Sequence, residues 1–208
     1  MKYLDVKHRG KFLVVYGPNN VGKSTQFGLL ASRLTRDYHQ QVLFLKYPIY
    51  ELSPTGPELH NYIKGKSIKD KKLSPIELQS VYAKNRYDFQ SIVEACLKAG
   101  VHVIAEDYIG TGLAWGMTYG ASINELLKIN NYLLMPDVSI LLLGTRFRES
   151  IEPKHIFENA GDEVWNKNKA CFQKLAKRFS WKVIKSDDTI EKVHNNIMKI
   201  VGKELGIA

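Results

Sequence analysis

A glycine-rich segment near the start of the chain has the residue types and spacing of a phosphate-binding loop. Four residues separate Gly17 from Gly22, and Lys23, Ser24 and Thr25 follow directly. Glycines let such a loop turn tightly and aim several backbone N–H groups at one anion. The lysine can then contact the outer phosphates of a nucleoside triphosphate, and the next hydroxyl can bind Mg²⁺. The segment predicts a site for ATP and Mg²⁺, formed by Gly17, Asn19, Asn20, Val21, Gly22, Lys23, Ser24 and Thr25.

A phosphate-binding loop of this kind connects a strand to a helix, and the hydrophobic pattern predicts a strand before this loop and a helix after it. Short apolar runs rich in β-branched residues predict strands at 12–16, 42–45, 101–105, 138–143 and 181–184. Stretches with helical spacing separate these runs, which indicates parallel pairing through right-handed crossovers. We therefore predict a single α/β domain over residues 1–208. It is a three-layer fold with a five-stranded parallel sheet flanked by helices.

One predicted helix carries its own start and stop signals. Ser74 stands at the N-cap position, Pro75 at the first helical position, and Glu77 can close a capping box. The helix is expected to run to about Lys98, with Gly100 ending it.

Composition narrows the class of protein further. The chain has 208 residues, 44% of them hydrophobic, which is enough to bury a core. Cys96 and Cys171 lie far apart, which excludes a disulfide scaffold or a cysteine-rich zinc site and predicts a cytoplasmic protein. No apolar run is long enough to predict a membrane span.

The net charge of +9 favours anionic partners such as nucleotides. The densest basic cluster, residues 64–72, contains no aromatic residue that could stack on a base. It is typical of a solvated loop. Nucleic acid is therefore a less favoured partner than a free nucleotide.

Further motifs follow the loop in a fixed order along the chain. They are Lys46-Tyr47-Pro48, Tyr82 with Arg86, Glu106-Asp107-Tyr108, Thr111 with Trp115, and Met135-Pro136-Asp137. Together with the loop, this ordered set resembles the thymidylate kinase family of P-loop nucleoside-monophosphate kinases. The resemblance runs from about Lys11 to Ile197. It implies transfer of the γ-phosphoryl group of ATP to thymidine monophosphate, and it implies a homodimer.

The resemblance also implies roles for individual residues. Lys23 would stabilise the transferring group, and Ser24 and Glu106 would hold Mg²⁺. A lid over residues 146–162 would supply a further catalytic cation, for which Lys154 is the candidate. The acceptor would contact Lys46, Tyr47, Pro48, Tyr82, Arg86, Asp107, Tyr108, Thr111 and Trp115.

The spacing of Tyr82 and Arg86 is compatible with the role that the resemblance implies for them. Tyr82 and Arg86 lie four residues apart, so both can point from one helix face into one pocket. The ring could stack on a pyrimidine, and the guanidinium could donate to a base carbonyl such as O4 of thymine.

Three positions depart from the family pattern. Asn19 stands where the family has an aspartate, and Lys46 and Asp107 stand where it has arginines. A carboxylate at position 107 would repel an anionic acceptor. It could instead accept a proton from a hydroxyl, so a deoxynucleoside kinase or another nucleotide kinase with an altered acceptor is a second interpretation. A nucleotide-binding module that has lost transferase activity is a third.

Overall fold

A computed structural model describes residues 10–66, 68 and 73–207 of the chain. Its elements are β1 (Phe12–Tyr16), α1 (Lys23–Arg36), β2 (Val42–Lys46), α2 (Thr55–Ile63), α3 (Pro75–Lys98), β3 (His102–Glu106), α4 (Ile109–Thr118), α5 (Ile123–Ile129), β4 (Val138–Leu143), α6 (Asp162–Phe179), β5 (Lys182–Lys185) and α7 (Ile190–Leu205). Between β4 and α6 the chain forms one 3₁₀ turn, Arg148–Ser150, within an irregular segment. Much of the basic cluster predicted to be a solvated loop, Ser67 and 69–72, lies outside the described residues.

The five strands form one parallel sheet in the order β2-β3-β1-β4-β5. The predicted five-stranded parallel sheet is confirmed. Because β1 lies at the centre between β3 and β4, the loop that follows it opens at the carboxyl edge of the sheet. Ligands of open parallel sheets bind at that edge, where the strand order reverses.

Alternate residues of β1 supply the two sides of the core. Phe12, Val14 and Tyr16 pack against α3, α4, α5 and α6, whereas Leu13 and Val15 pack against α1 and α7. All five residues are buried, and a fully buried large apolar side chain stabilises the fold by roughly 1.5–3 kcal/mol. The sheet is therefore covered on both faces and holds its carboxyl edge in a fixed position.

The predicted ends of α3 are also confirmed. Ser74 Oγ accepts from the Glu77 backbone N–H at 3.3 Å, and Glu77 Oε2 accepts from the Ser74 backbone N–H at 2.9 Å. The helix ends at Lys98, and Gly100 follows with a φ of 85°. This helix has 24 residues and presents one face to the carboxyl edge of the sheet. Neither α3 nor any other helix in the described part of the chain has the length and hydropathy required to cross a membrane.

Candidate active site

A cavity of about 470 Å³ opens at the carboxyl edge of the sheet. The loop after β1, the ends of β2 and β3, one face of α3, the start of α4 and the segment before α6 form its walls. Most of the residues predicted for the site line it: Asn19, Asn20, Val21, Gly22, Lys23, Ser24, Thr25, Lys46, Tyr47, Pro48, Tyr82, Arg86, Glu106, Asp107, Thr111 and Trp115. The fold thus brings the triphosphate residues and the acceptor residues into one space.

The phosphate loop leads directly into α1. Gly22 caps this helix with a φ of 90°, a left-handed conformation that glycine adopts without strain. Lys23 is 7% exposed, and its Nζ donates to the carbonyl oxygens of Gly17 at 2.9 Å and Pro18 at 3.0 Å. Its ammonium group is thereby held over the loop. The free N–H groups at the start of α1 add positive potential for a phosphate chain.

Oxygen atoms suited to Mg²⁺ meet beside the loop. Ser24 Oγ donates to Glu106 Oε1 at 2.8 Å, and Glu106 is only 3% exposed. Lys46 Nζ donates to Ser24 Oγ at 3.1 Å and lies 3.3 Å from Glu106 Oε1, so it balances the buried carboxylate. One carboxylate and one hydroxyl fit Mg²⁺, which takes few protein ligands and fills its shell with phosphate oxygens and water.

Asp107 lies next to this pair, at the end of β3. Its φ is 63°, in the left-handed region that aspartate adopts more readily than most residues. Thr111 Oγ1 donates to Asp107 Oδ1 at 2.6 Å. Burial raises the pKa of the Asp107 carboxyl, while the charges of Lys23 and Lys46 oppose that rise. The acid that departs from the family pattern therefore lines the cavity and feels the charge of Lys23.

Arg86 lines the cavity from α3. It is 3% exposed, and burial lowers the pKa of its guanidinium. Nη1 donates to Asn130 Oδ1 at 3.3 Å, and Nε has no hydrogen-bond partner among the described residues. Tyr82 lies one turn earlier on α3, and burial raises the pKa of its hydroxyl group. A buried cation with spare donors beside an aromatic ring can bind a flat, carbonyl-bearing group.

The segment predicted to be a lid lies over the phosphate loop. Asn20 Nδ2 donates to the Ser150 carbonyl at 2.9 Å, and Phe147 N donates to the Asn20 carbonyl at 2.8 Å. From α6, Trp165 Nε1 donates to the Asn19 carbonyl at 2.8 Å. These contacts close one side of the cavity, and a closed site strengthens electrostatic interactions by excluding water.

The basic side chains of the lid have different surroundings: some pair with an acid, one is exposed and one lines the cavity. Arg146 Nη1 lies 3.1 Å from Asp162 Oδ1, and Arg148 also pairs with Asp162. Lys154 is exposed and does not line the cavity within the described residues; its catalytic role stays a prediction. His155 does line the cavity, and burial lowers its pKa.

Two other predicted residues support the cavity from behind. Gly17 contributes its carbonyl oxygen to Lys23. Tyr108 is 2% exposed and packs its ring against Phe12 and Tyr47, each at 5.1 Å between centroids. Since Tyr47 reaches the cavity and Tyr108 does not, the fold gives Tyr108 the position of a packing partner.

The cavity wall also contains residues that the sequence patterns did not single out. These include Gln79, Tyr50, Gly112, Phe157 and Glu158. Gln79 carried a usable signal, because it lies three residues before Tyr82 and seven before Arg86 on the same helical face. Phe157 packs on Trp115 at 4.5 Å between ring centroids, a contact between distant segments that local spacing cannot reveal.

Comparison with known proteins identifies the family. The family model for thymidylate kinase matches residues 15–197. The chain belongs to the thymidylate kinase family. Thymidylate kinase of Arabidopsis thaliana is 30% identical over 203 residues, covering 94% of this chain and 72% of the relative. That of Plasmodium falciparum is 26% identical and covers 96% of this chain and 93% of the relative.

Solved structures of thymidylate kinases share the fold. That of Candida albicans superposes with a TM-score of 0.80 at 20% identity and covers 96% of this chain and 94% of its own. That of Ehrlichia chaffeensis gives a TM-score of 0.71 at 18% identity, covering 93% and 99%. The predicted nucleoside-monophosphate-kinase fold is confirmed. As a thymidylate kinase family member, the chain is an ATP-dependent phosphotransferase.

Proposed function

We propose that the chain transfers the γ-phosphoryl group of ATP to thymidine monophosphate, giving ADP and thymidine diphosphate. Family membership over nearly the whole chain supports this reaction. The cavity supports it independently, because one end has the groups for a triphosphate and the other has the groups for a pyrimidine base.

Arg86 is the observation on which the assignment of the acceptor base depends. A buried guanidinium is costly unless an acceptor meets its donors, and among the described residues it has a single hydrogen bond, to Asn130. A base carbonyl such as O4 of thymine can accept from it while Tyr82 covers the ring. The Asn130 amide fixes the direction in which the guanidinium points.

Transfer requires positioning and charge neutralisation more than proton transfer. An oxygen of the acceptor phosphate is already anionic, so it attacks the γ-phosphorus without a strong general base, and the bond between this phosphorus and the β–γ bridging oxygen breaks. Lys23 stabilises the charge that develops on the transferring oxygens. Ser24 and Glu106 would hold Mg²⁺, which when bound supplies positive charge to the triphosphate.

Asp107 favours a second candidate, a deoxynucleoside kinase. Its carboxylate faces the cavity, so it repels a phosphate dianion and could accept the proton of a nucleoside 5′-hydroxyl. Lys23 and Lys46 oppose its charge, which is the reason we prefer the monophosphate as acceptor.

A radiolabelled ATP assay over a panel of acceptors tests the proposal. We expect thymidine monophosphate to be the best substrate among thymidine and the deoxynucleoside monophosphates, with turnover that depends on Mg²⁺. Turnover of thymidine without its monophosphate would instead establish the nucleoside kinase. Tight ATP binding by calorimetry with no product from any acceptor would indicate a module that has lost transferase activity.

We infer a homodimer from the family resemblance. The outer face of α3 supports it, because Tyr87 is 53% exposed there and packs edge-on against Tyr132 at 5.1 Å. Light scattering on the purified chain is expected to give twice the monomer mass, and a monomer at all concentrations would refute the dimer. The cytoplasmic location stays a prediction.

A further inference from the structure

Two polar side chains lie side by side at the acceptor end of the cavity. Gln79 and Arg86 extend from the same face of α3, and both line the cavity. Both also pack on Gly112 of α4: a Cβ atom at position 112 would lie 2.8 Å from Gln79 Oε1 and 2.9 Å from Arg86 Nη2. Glycine at position 112 thus makes room for both polar ends, which are neighbours.

Neither side chain is fully satisfied within the described residues. Gln79 is 3% exposed, and its Oε1 has no hydrogen-bond partner there. Arg86 Nε likewise has none. Buried polar atoms of native proteins nearly always have partners, so an unpartnered atom on each of two side chains that line one cavity indicates a ligand that supplies the missing partners.

The pair presents a specific pattern to that ligand. A guanidinium offers only donors, whereas the amide of Gln79 offers one acceptor oxygen and two N–H donors. Because the donors of Arg86 repel other N–H groups, the carbonyl oxygen is the end that fits beside it. The terminal torsion of glutamine is broad, so the amide can turn its oxygen toward the cavity at little cost.

We propose that Gln79 is a specificity-determining residue that accepts a hydrogen bond from N3–H of thymine or uracil. This inference rests on the proposed function, in which Arg86 donates to O4. In these bases an N–H donor stands next to a carbonyl acceptor, the complement of Gln79 beside Arg86. In cytosine, N3 is an acceptor and an amino group stands in place of O4, so the amino group would face the N–H donors of Arg86.

The test uses substrates first and variants second. The wild-type chain is assayed with thymidine monophosphate, deoxycytidine monophosphate and N3-methylthymidine monophosphate, in which the N3 donor is blocked. We expect kcat/KM to fall at least about tenfold on N3-methylation, as for the loss of one buried hydrogen bond. If wild-type kcat/KM is the same for the methylated acceptor, the inference is wrong, and this result needs no variant.

Gln79→Met then removes the amide while keeping the side-chain length. We expect its kcat/KM for thymidine monophosphate to fall about tenfold. The ratio of kcat/KM for thymidine monophosphate to that for deoxycytidine monophosphate is expected to decrease, and N3-methylation is expected to lower kcat/KM by a smaller factor than in the wild type. The KM for ATP is expected to stay at the wild-type value. Gln173→Met, on the exposed side of α6, is the matched control with unchanged selectivity.

The outcomes separate the two levels of the argument. A wild-type chain that does not phosphorylate thymidine monophosphate refutes the proposed function. A wild-type chain that does phosphorylate it, combined with a Gln79→Met variant of unchanged base preference and unchanged N3-methylation penalty, refutes the role of Gln79 alone.

Discussion

Lys23 and Asp107 bring opposite charges to the same cavity. Lys23 is held over the loop by two carbonyl oxygens, and Asp107 is held by the hydroxyl of Thr111. Both line the same cavity, so the electrostatic potential inside it depends on the positive charge of Lys23 and the negative charge of Asp107. The two residues lead to separate predictions.

Lys23→Ala is expected to lower kcat by at least about 100-fold, because it removes a preorganised cation from the transferring phosphoryl group. The free energy of unfolding is expected to change by only about 1–2 kcal/mol, since two hydrogen bonds within the loop are lost. Steady-state kinetics and urea unfolding measure the two effects. Lys84→Ala, on the exposed side of α3, is the control, and near wild-type turnover in Lys23→Ala would contradict the mechanism.

Asp107→Asn is expected to lower the KM for thymidine monophosphate by about threefold to tenfold, because it removes a negative charge that repels the phosphate. The asparagine can still accept the hydrogen bond from Thr111. Asp88→Asn makes the same charge change at the surface, where Asp88 pairs with Lys84, and is expected to leave KM unchanged. A raised KM in Asp107→Asn would mean that the carboxylate itself contacts the acceptor.

The lid and α6 together act as the element that positions the phosphate loop. The Asn19 carbonyl accepts a hydrogen bond from Trp165, and the Asn20 side chain donates one to the Ser150 carbonyl. In both cases the two partners are more than 100 residues apart in the sequence. Because we propose that this loop binds the ATP phosphates, we expect these contacts to couple the lid to ATP affinity.

Trp165→Phe is expected to raise the KM for ATP by about threefold to tenfold, because it keeps the aromatic ring but removes the donor to the Asn19 carbonyl. The KM for thymidine monophosphate is expected to stay within about twofold. Trp181→Phe, which replaces a ring packed on Tyr16 and Phe179, is the control. Equal KM values for ATP in the two variants would argue against a positioning role for the Trp165 bond.

Secondary structure could be predicted where neighbouring residues in the sequence determine it. Strands such as β1 and β4 are continuous apolar runs with buried residues, and the capping box at Ser74 is a local signal. The path of the lid was not predictable, because its hydrogen bonds to Asn20 depend on tertiary contacts between distant segments.

The same division holds for the cavity. The phosphate loop could be located from its own motif between a strand and a helix, whereas Tyr82 and Arg86 were assigned through the family resemblance, and helical spacing added only that both can share a face. The position of Tyr108 behind Tyr47 depends on how two strand ends pack, and Phe157 reaches Trp115 from the lid. Neither arrangement has a signature in local sequence.

At the scale of the whole molecule, His102 links stability to pH. Its Nδ1 accepts from the Lys11 backbone N–H at 3.0 Å, which requires a neutral ring, and burial followed by the charge of Lys11 lowers its pKa. The unfolded chain binds this proton at the ordinary pKa of about 6.5. Between the two pKa values the unfolded state therefore holds more protons, and the free energy of unfolding falls as the pH drops through about 6.5.

Urea unfolding at about pH 7.5 and about pH 5.5 tests this link. We expect lower stability at the acidic pH, by less than about 1 kcal/mol per histidine because these rings are partly exposed to solvent. Burial also lowers the pKa of His155 and His194, so they act in the same direction. His102→Asn keeps an acceptor but no titrating ring and is expected to reduce the pH dependence; an unchanged dependence would exclude His102 as a contributor.

The positions of the three tryptophans make intrinsic fluorescence a way to follow nucleotide binding. Trp165 touches the loop that we propose binds ATP, Trp115 lines the cavity that we propose binds the monophosphate, and Trp181 packs on Tyr16. Indole emission responds to the polarity and stacking around each ring, so the two nucleotides change the fluorescence of different tryptophans. With single-tryptophan variants, occupancy of the donor and acceptor halves can be followed separately in one unlabelled chain.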